Sequence, residues 1–233
     1  MVVSYITGTS SGLGKSIAEL LLEKENHFVK GISRTSTINH QRYSHIKKDL
    51  SMKINNSFFS KLPNNCKKII LINNAADIGP VTRINNQSYE DIFFNYQLNL
   101  ITPSVLCGQF INSYKNIRCE KLIINISSGA SNNAIQAWGT YCASKSGLDM
   151  FTRVISKENP SFKIFSISPG IIDTKMQKKI RNSKKEQFPK LDHFKSYKTN
   201  GELAKPRDIA IKILKIIDFP EDYSDVKLSV RDM

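Results

Sequence analysis

The chain has 233 residues, 40% of them hydrophobic, which suffices for one domain, 1–233, with a substantial core. No apolar run reaches the about 18 residues that suggest a membrane span, and Met1–Thr7 lacks the charged start of a signal peptide, so a cytoplasmic protein without membrane contact is expected. Net charge is +14, but half of it lies in 175–198, where nine Lys and Arg accompany only Glu186 and Asp192; no zinc-finger, homeodomain or RNA-binding signature goes with it, and nucleic acid is not the expected partner.

Cys66, Cys107, Cys119 and Cys142 have neither metal-ligand spacing nor the density of a disulfide framework, and read as free thiols. His27, His40, His45 and His193 lack carboxylates at ligand spacing, so no metal is expected.

Residues 2–7 read as a short buried strand. Gly8-Thr-Ser-Ser-Gly12-Leu-Gly14 follows, then a helix over 15–25 with Ile17, Ala18, Leu20, Leu21 and Leu22 on its apolar side. A glycine-rich turn between strand and helix lets the backbone approach a phosphate, and the free N–H groups of the helix start favour an anion. A nucleoside-triphosphatase loop is excluded twice. Its first glycine would stand at Thr9, and the apolar strand over 67–72 runs into Asn73 rather than a magnesium-binding acid.

Residues 27–33 read as the second strand, closing a βαβ unit. The acid that would bond a ribose 2′-hydroxyl is missing; the strand ends Gly31-Ile32-Ser33-Arg34, which suits a 2′-phosphate and hence NADP(H). A weak third strand over 44–48 leads to Asp49-Leu50-Ser51, with Ser51 placed to cap a short helix. The fourth strand, 67–72, leads into Asn73-Asn74-Ala75-Ala76. Residues 88–114 read as a broken helical region containing Asn99 and Pro103. The fifth strand, 122–127, precedes Ser128. A helix over 139–158, a sixth strand over 163–168 ending at Pro169-Gly170, a helix over 205–217 and a last strand over 226–230 complete the chain. Strands alternating with helices imply an α/β Rossmann fold, a doubly wound parallel sheet of seven strands with helices on both faces. The turns after its strands would then line one edge, where ligands bind.

Within the 139–158 helix, Tyr141 and Lys145 stand one turn apart on one face. An ammonium beside a phenol is expected to lower its pKa, toward that of a general acid for a carbonyl oxygen. The same spacing recurs at Tyr43/Lys47 and Tyr223/Lys227, which read as exposed helix pairs. Only Tyr141 has a hydroxyl at a strand end thirteen residues upstream, Ser128.

The ordered set Thr7-Gly8-x3-Gly12-x-Gly14, Asn73-Asn74-Ala75, Asn99, Ser128, Tyr141-x3-Lys145 and Pro169-Gly170 resembles the short-chain dehydrogenase/reductase family over nearly the whole chain. The runs 96–100, 141–153 and 168–177 are similar to a narrower group, the (S)-benzoin-forming benzil reductases and sepiapterin reductase-like enzymes. The resemblance implies an NADPH-dependent reductase of ketones and 1,2-diketones, a homodimer or homotetramer. It implies Tyr141 as proton donor and Lys145 as its partner on the nicotinamide ribose. Ser128 would orient the substrate oxygen and Asn99 hold a water behind Lys145. Gly8, Ser10, Gly12, Leu13 and Gly14 would wrap the pyrophosphate, and Ser33 and Arg34 the 2′-phosphate. Asp49 and Leu50 would flank the adenine, and Asn74 and Ala75 its ribose. Pro169, Gly170, Ile172 and Thr174 would also bind the cofactor, with Ile172 and Thr174 on the carboxamide. Trp138 and Met176 are candidate pocket walls, and 173–200 a lid over the substrate. Ala76 stands where the family usually has glycine. Two other functions compete: a 3-oxoacyl carrier-protein reductase, and a non-catalytic NADP-sensing or nucleic-acid-associated regulator.

Overall fold

The computed structural model describes residues 1–233. Its strands are β1 (Val2–Thr7), β2 (His27–Ser33), β3 (Tyr43–Lys47), β4 (Lys68–Asn73), β5 (Glu120–Ile126), β6 (Lys163–Ser168) and β7 (Lys227–Ser229). They form one parallel sheet in the order β3-β2-β1-β4-β5-β6-β7. From β1 the chain builds outward to β3, then returns to the other side of β1 with β4. That reversal opens a crevice at the carboxyl ends of β1 and β4.

The helices are α1 (Gly12–Glu23), α2 (Tyr89–Tyr96), α3 (Thr102–Tyr114), α4 (Gly139–Glu158), α5 (Lys175–Arg181), α6 (Leu191–Thr199) and α7 (Pro206–Asp218). Both faces of the sheet are covered, so the central strands are apolar throughout rather than alternating. On β4, Ile70 and Ile72 pack with Ile17 and Leu21 of α1 and Ile213 and Ile217 of α7. Ile69 and Leu71 turn the other way, toward Leu106, Cys107, Phe110 and Tyr114 of α3. Truncating one such buried aliphatic side chain costs about 2–5 kcal/mol.

Three sequence expectations change. First, no helix follows Ser51. Its N–H and hydroxyl both donate to Asp49 Oδ1, at 3.0 and 2.7 Å, so the short side chain closes a turn instead of a helix. Second, 89–114 stays helical throughout, α2 passing through a π turn into α3 without a loop. Ser88 and Asp91 form a reciprocal cap at its start. Pro103 lacks the N–H that a regular helix would need, and a π turn at Gln97–Ile101 absorbs the defect. The Leu100 carbonyl accepts from Ser104 Oγ at 2.7 Å. Third, Tyr43 and Lys47 lie in β3 and Lys227 in β7, so neither decoy pair is helical. Several strands also start or end a residue or two from their expected limits.

Candidate active site

The cavity at the carboxyl edge of the sheet has a volume of about 1030 Å³. At its β1 side the chain turns through Gly8, with φ +76°, a conformation that side chains disfavour. A Cβ there would stand 2.9 Å from Asn74 Nδ2, and one at Gly14 would stand 2.3 Å from the same atom. The Asn74 amide occupies that room, donating to the Thr7 carbonyl at 3.0 Å. Thr7 Oγ1 accepts from the N–H of Asn74 at 2.8 Å and of Ala75 at 3.0 Å. These bonds lock the loop after β1 to the loop after β4. The start of α1 has no side-chain cap and no acidic residue in its first turn. Its positive end opens into the cavity at Gly12 and Leu13, beside Ser10. The cradle fits a pyrophosphate.

Arg34, Asp49 and Leu50 border the same cavity at the β2–β3 side. Arg34 is exposed, and its charge helps Ser51 hold the Asp49 carboxyl below the usual range. Ser33 is buried, and its hydroxyl donates to the Thr35 carbonyl at 2.8 Å. In this structure that proton already has an acceptor.

The floor of the cavity brings Ser128, Tyr141 and Lys145 together. Burial pushes the Tyr141 phenol up to about 12, and the facing Ser128 hydroxyl opposes this. Lys145 does not bring it down as its spacing suggested. Its ammonium donates to the Ile126 carbonyl at 2.9 Å and lies 5.9 Å from the Tyr141 ring centroid. Burial draws Lys145 itself down to about 8, against the pull of Asp149. Asn99 sits in the π turn behind Lys145. Its amide accepts from the Asp77 N–H at 3.1 Å and donates to the Asp77 carbonyl at 2.8 Å. A small cavity between Asn99 and Lys145 is also lined by Thr7, Asn73 and Thr102.

Pro169, Gly170, Ile172 and Thr174 border the cavity after β6. The 173–200 segment forms α5 and α6, and Thr174, Lys179, Ile180, Phe194 and Tyr197 from it line the cavity. Trp138 packs against Phe188, between the two helices, and Phe194 of α6, at ring-centroid distances of 5.6 and 5.1 Å. The indole also meets Tyr141 edge-on at 5.9 Å. Ala137 takes φ +68° immediately before it, a strained conformation for alanine that turns the chain into α4. Met176 of α5 also borders the cavity. Ala76 also lines the cavity and adopts negative φ, so its methyl group imposes no backbone strain.

The family model for short chain dehydrogenases matches residues 2–185. The chain belongs to that family. It is an oxidoreductase of the short-chain dehydrogenase type, a family that uses a nicotinamide cofactor. It is 35% identical over 229 residues to the (S)-benzoin-forming benzil reductase of Bacillus subtilis, covering 94% of both chains. It is 30% identical over 159 residues to sepiapterin reductase of Rattus norvegicus, covering 66% of this chain and 60% of that one. Among solved structures, the short chain dehydrogenase/reductase YIR035C of Saccharomyces cerevisiae superposes with a TM-score of 0.82 at 23% identity, over 98% of this chain and 95% of that one.

In this short-chain dehydrogenase the sequence reading missed what supports the site from below. Gly31 leaves room for the Tyr43 hydroxyl, which meets Thr9 Oγ1 at 2.9 Å under the glycine-rich loop. His45 Nε2 stands 3.1 Å from Ser33 Oγ. Lys48 lines the cavity beside Ser33, whose carbonyl accepts its N–H at 3.0 Å. Each contact joins residues of different strands or of the turns that follow them, and no local spacing announces it. Asp77 was also missed. Its carboxylate pairs with Lys179 of α5 at 2.8 Å, joining the loop after β4 to that helix.

Proposed function

We propose that this chain is an NADPH-dependent carbonyl reductase acting on ketones and 1,2-diketones, with Tyr141 as proton donor. The observation that carries the reading is the convergence of Ser128, Tyr141 and Lys145 on one cavity floor, beside a pyrophosphate cradle. A reduced nicotinamide bound there supplies the hydride. The chain's own task is to place the carbonyl and protonate its oxygen. A phenol with a pKa of about 12 is fully protonated at neutral pH, which is the form a donor needs. Ser128 offers a second hydroxyl to the same oxygen. Lys145, mostly an ammonium at neutral pH, stabilises the negative charge that the phenol acquires.

The exposed Arg34 favours NADPH, and β2 ends in Ser33 rather than a carboxylate that would bond a 2′-hydroxyl or repel a phosphate. Asn99 holds Asp77 and backs Lys145, and the small cavity between Asn99 and Lys145 suits the family water. Trp138, Met176, Ile78 and Ile135 give the substrate end an apolar lining, which suits aromatic ketones and diketones better than acyl thioesters. The benzil reductase relative supports that choice. Four free cysteines fit the reducing cytoplasm.

The deciding experiment is NADPH oxidation over a carbonyl panel including benzil, isatin, a pterin and an acetoacetyl thioester. The expected order puts benzil first by kcat/KM. A tenfold advantage for the thioester would transfer the reading to 3-oxoacyl carrier-protein reduction. No turnover with any carbonyl, together with intact NADPH binding, would favour a non-catalytic sensor.

The chain is also proposed to assemble as a homodimer or homotetramer through α2 and α4, which pack together and expose Tyr89, Phe93, Met150 and Val154. Sedimentation equilibrium checks this. A monomer at micromolar concentration would end the proposal.

A further inference from the structure

The proposed reaction uses the first two of three buried residues that stand one turn apart on α4: Tyr141, Lys145 and Asp149. These meet three consecutive residues at the end of β5. Lys145 Nζ donates to the Ile126 carbonyl, the Ser127 hydroxyl lies near the Asp149 carboxylate and helps hold its pKa below the usual range, and Tyr141 faces Ser128. Asp149 gathers more. Its carboxylate accepts from Ser166 Oγ of β6 at 2.5 Å and pairs with Lys227 Nζ of β7 at 2.5 Å. Lys227 in turn donates to Ser131 Oγ at 3.0 Å and Asn132 Oδ1 at 2.6 Å. A buried carboxylate costs several kcal/mol unless it is paired and hydrogen-bonded. Here those partners come from β6 and β7, and Lys227 links them to the loop that carries Ser128.

From this ladder we propose that Asp149 is a positioning residue for the reduction: it keeps Lys145 an ammonium against Ile126, and through Lys227 it fixes the 127–132 loop that presents Ser128. The inference rests on the carbonyl-reductase reading, and its test separates the two. The charged and titratable groups around Lys145 are few. Asp149 and Tyr141 share its helix. Lys227 reaches from β7 to the far side of Asp149. Asp77, after β4, acts on Tyr141. The end of β5 and the π turn present the Ile126 carbonyl and the Asn99 amide. Burial favours the neutral amine, and Asp149 is the group that opposes this. Removing that carboxylate therefore lowers the lysine's pKa. Removing the Lys227 charge, which partly cancels the carboxylate, raises it.

The first measurement needs no turnover. Protein labelled with 13C at lysine Cε is titrated by NMR, with the Lys145→Arg spectrum assigning the resonance. Asp149→Asn is expected to lower the Lys145 titration by about one unit, and Lys227→Met to raise it. The second measurement is the pH profile of benzil reduction. Asp149→Asn is expected to lose kcat at lower pH than wild type, and Asp149→Glu to restore the profile. Lys227→Met is expected to raise KM severalfold without an acid shift of the profile, because it loosens the Ser128 loop. An Asp149→Asn protein whose Lys145 titration matches wild type overturns the proposal. If Asp149→Asn does not fold, a Lys227→Met protein with unchanged KM and an unshifted or lowered Lys145 titration overturns it instead. A wild type inactive on every carbonyl ends the reductase reading alone, since the NMR titration still decides what Asp149 does to Lys145.

Discussion

Tyr141 is where one atom decides most. Its phenol is buried and fully protonated at neutral pH, with Ser128 facing it. Tyr141→Phe keeps the ring against Trp138 and removes only the proton. We expect turnover to fall by about 10²–10⁴-fold, the usual worth of a general acid, with NADPH affinity nearly unchanged by fluorescence titration. A variant keeping half the wild-type kcat would take Tyr141 out of the mechanism. At the other end of the cavity, Arg34 is exposed and free to fork onto phosphate oxygens. A charge-assisted hydrogen bond contributes about 1.5–3 kcal/mol, roughly ten- to a hundredfold in affinity. Arg34→Ala should therefore raise KM for NADPH far more than for NADH, and Ser33→Asp should invert the preference by repulsion. The check is the ratio of kcat/KM for the two cofactors; a ratio that Arg34→Ala leaves unchanged would leave Arg34 a solvated residue. Ser128, Tyr141 and Lys145 could be picked from the sequence because a helix turn and a strand end fix their relation locally. Asp149 and Lys48 could not. Their partners come from other strands, as with Lys227, 78 residues from Asp149 along the chain.

Elements were legible where a single period ran through them. The apolar runs of β1, β4 and β5 and the apolar side of α1 announced themselves, because the sheet buries both faces. The turn after Asp49 misled, since a serine that caps a helix and a serine that closes on the preceding aspartate look alike in sequence. The helix over 88–114 also misled, because Pro103 signals a break while the π turn that accommodates it has no signature. The 173–200 segment was legible as basic and, through the family resemblance, as an expected lid; its attachment was not. Asp77 has its backbone clamped by Asn99 and its carboxylate on Lys179, so the π turn, the loop after β4 and α5 form one connected clasp. Both partners are more than a third exposed, at 49% and 37%, so the ion pair contributes at most about 1 kcal/mol and is screened by salt. Lys179→Met should raise substrate KM by no more than about fivefold, with kcat within twofold and a weaker salt dependence of KM than wild type. A fall in kcat of tenfold or more with KM unchanged would show that Lys179 acts on the chemistry and not on lid closure.

On the scale of the whole molecule, the parallel sheet separates function from stability. Every strand points its carboxyl end at the cavity, so the amino edge is free of catalytic duty. His27 sits there, at the start of β2, with Nε2 2.8 Å from Ser4 Oγ of β1. Burial pushes its pKa down to about 4, reinforced by Lys24, Arg42 and Lys68 and opposed by Asp218. The unfolded chain has a histidine near 6.5 and so binds this proton earlier. Above pH 6.5 both states are neutral and nothing is lost. Between 6.5 and 4 the unfolded state takes up the proton and the folded state resists, so stability falls as pH falls; below 4 the loss is complete. At 1.36 kcal/mol per unit the loss from pH 7 to pH 4 is roughly 3 kcal/mol. Other groups titrate over the same range, so the term must be isolated by comparison. His27→Gln keeps a hydrogen-bonding partner for Ser4 and has no proton to gain. Urea unfolding of both proteins at pH 7 and pH 4 should show the variant gaining about 3 kcal/mol on wild type as the pH falls. Equal losses in the two proteins would mean that acid opens the molecule elsewhere, and that this buried corner of the sheet plays no part.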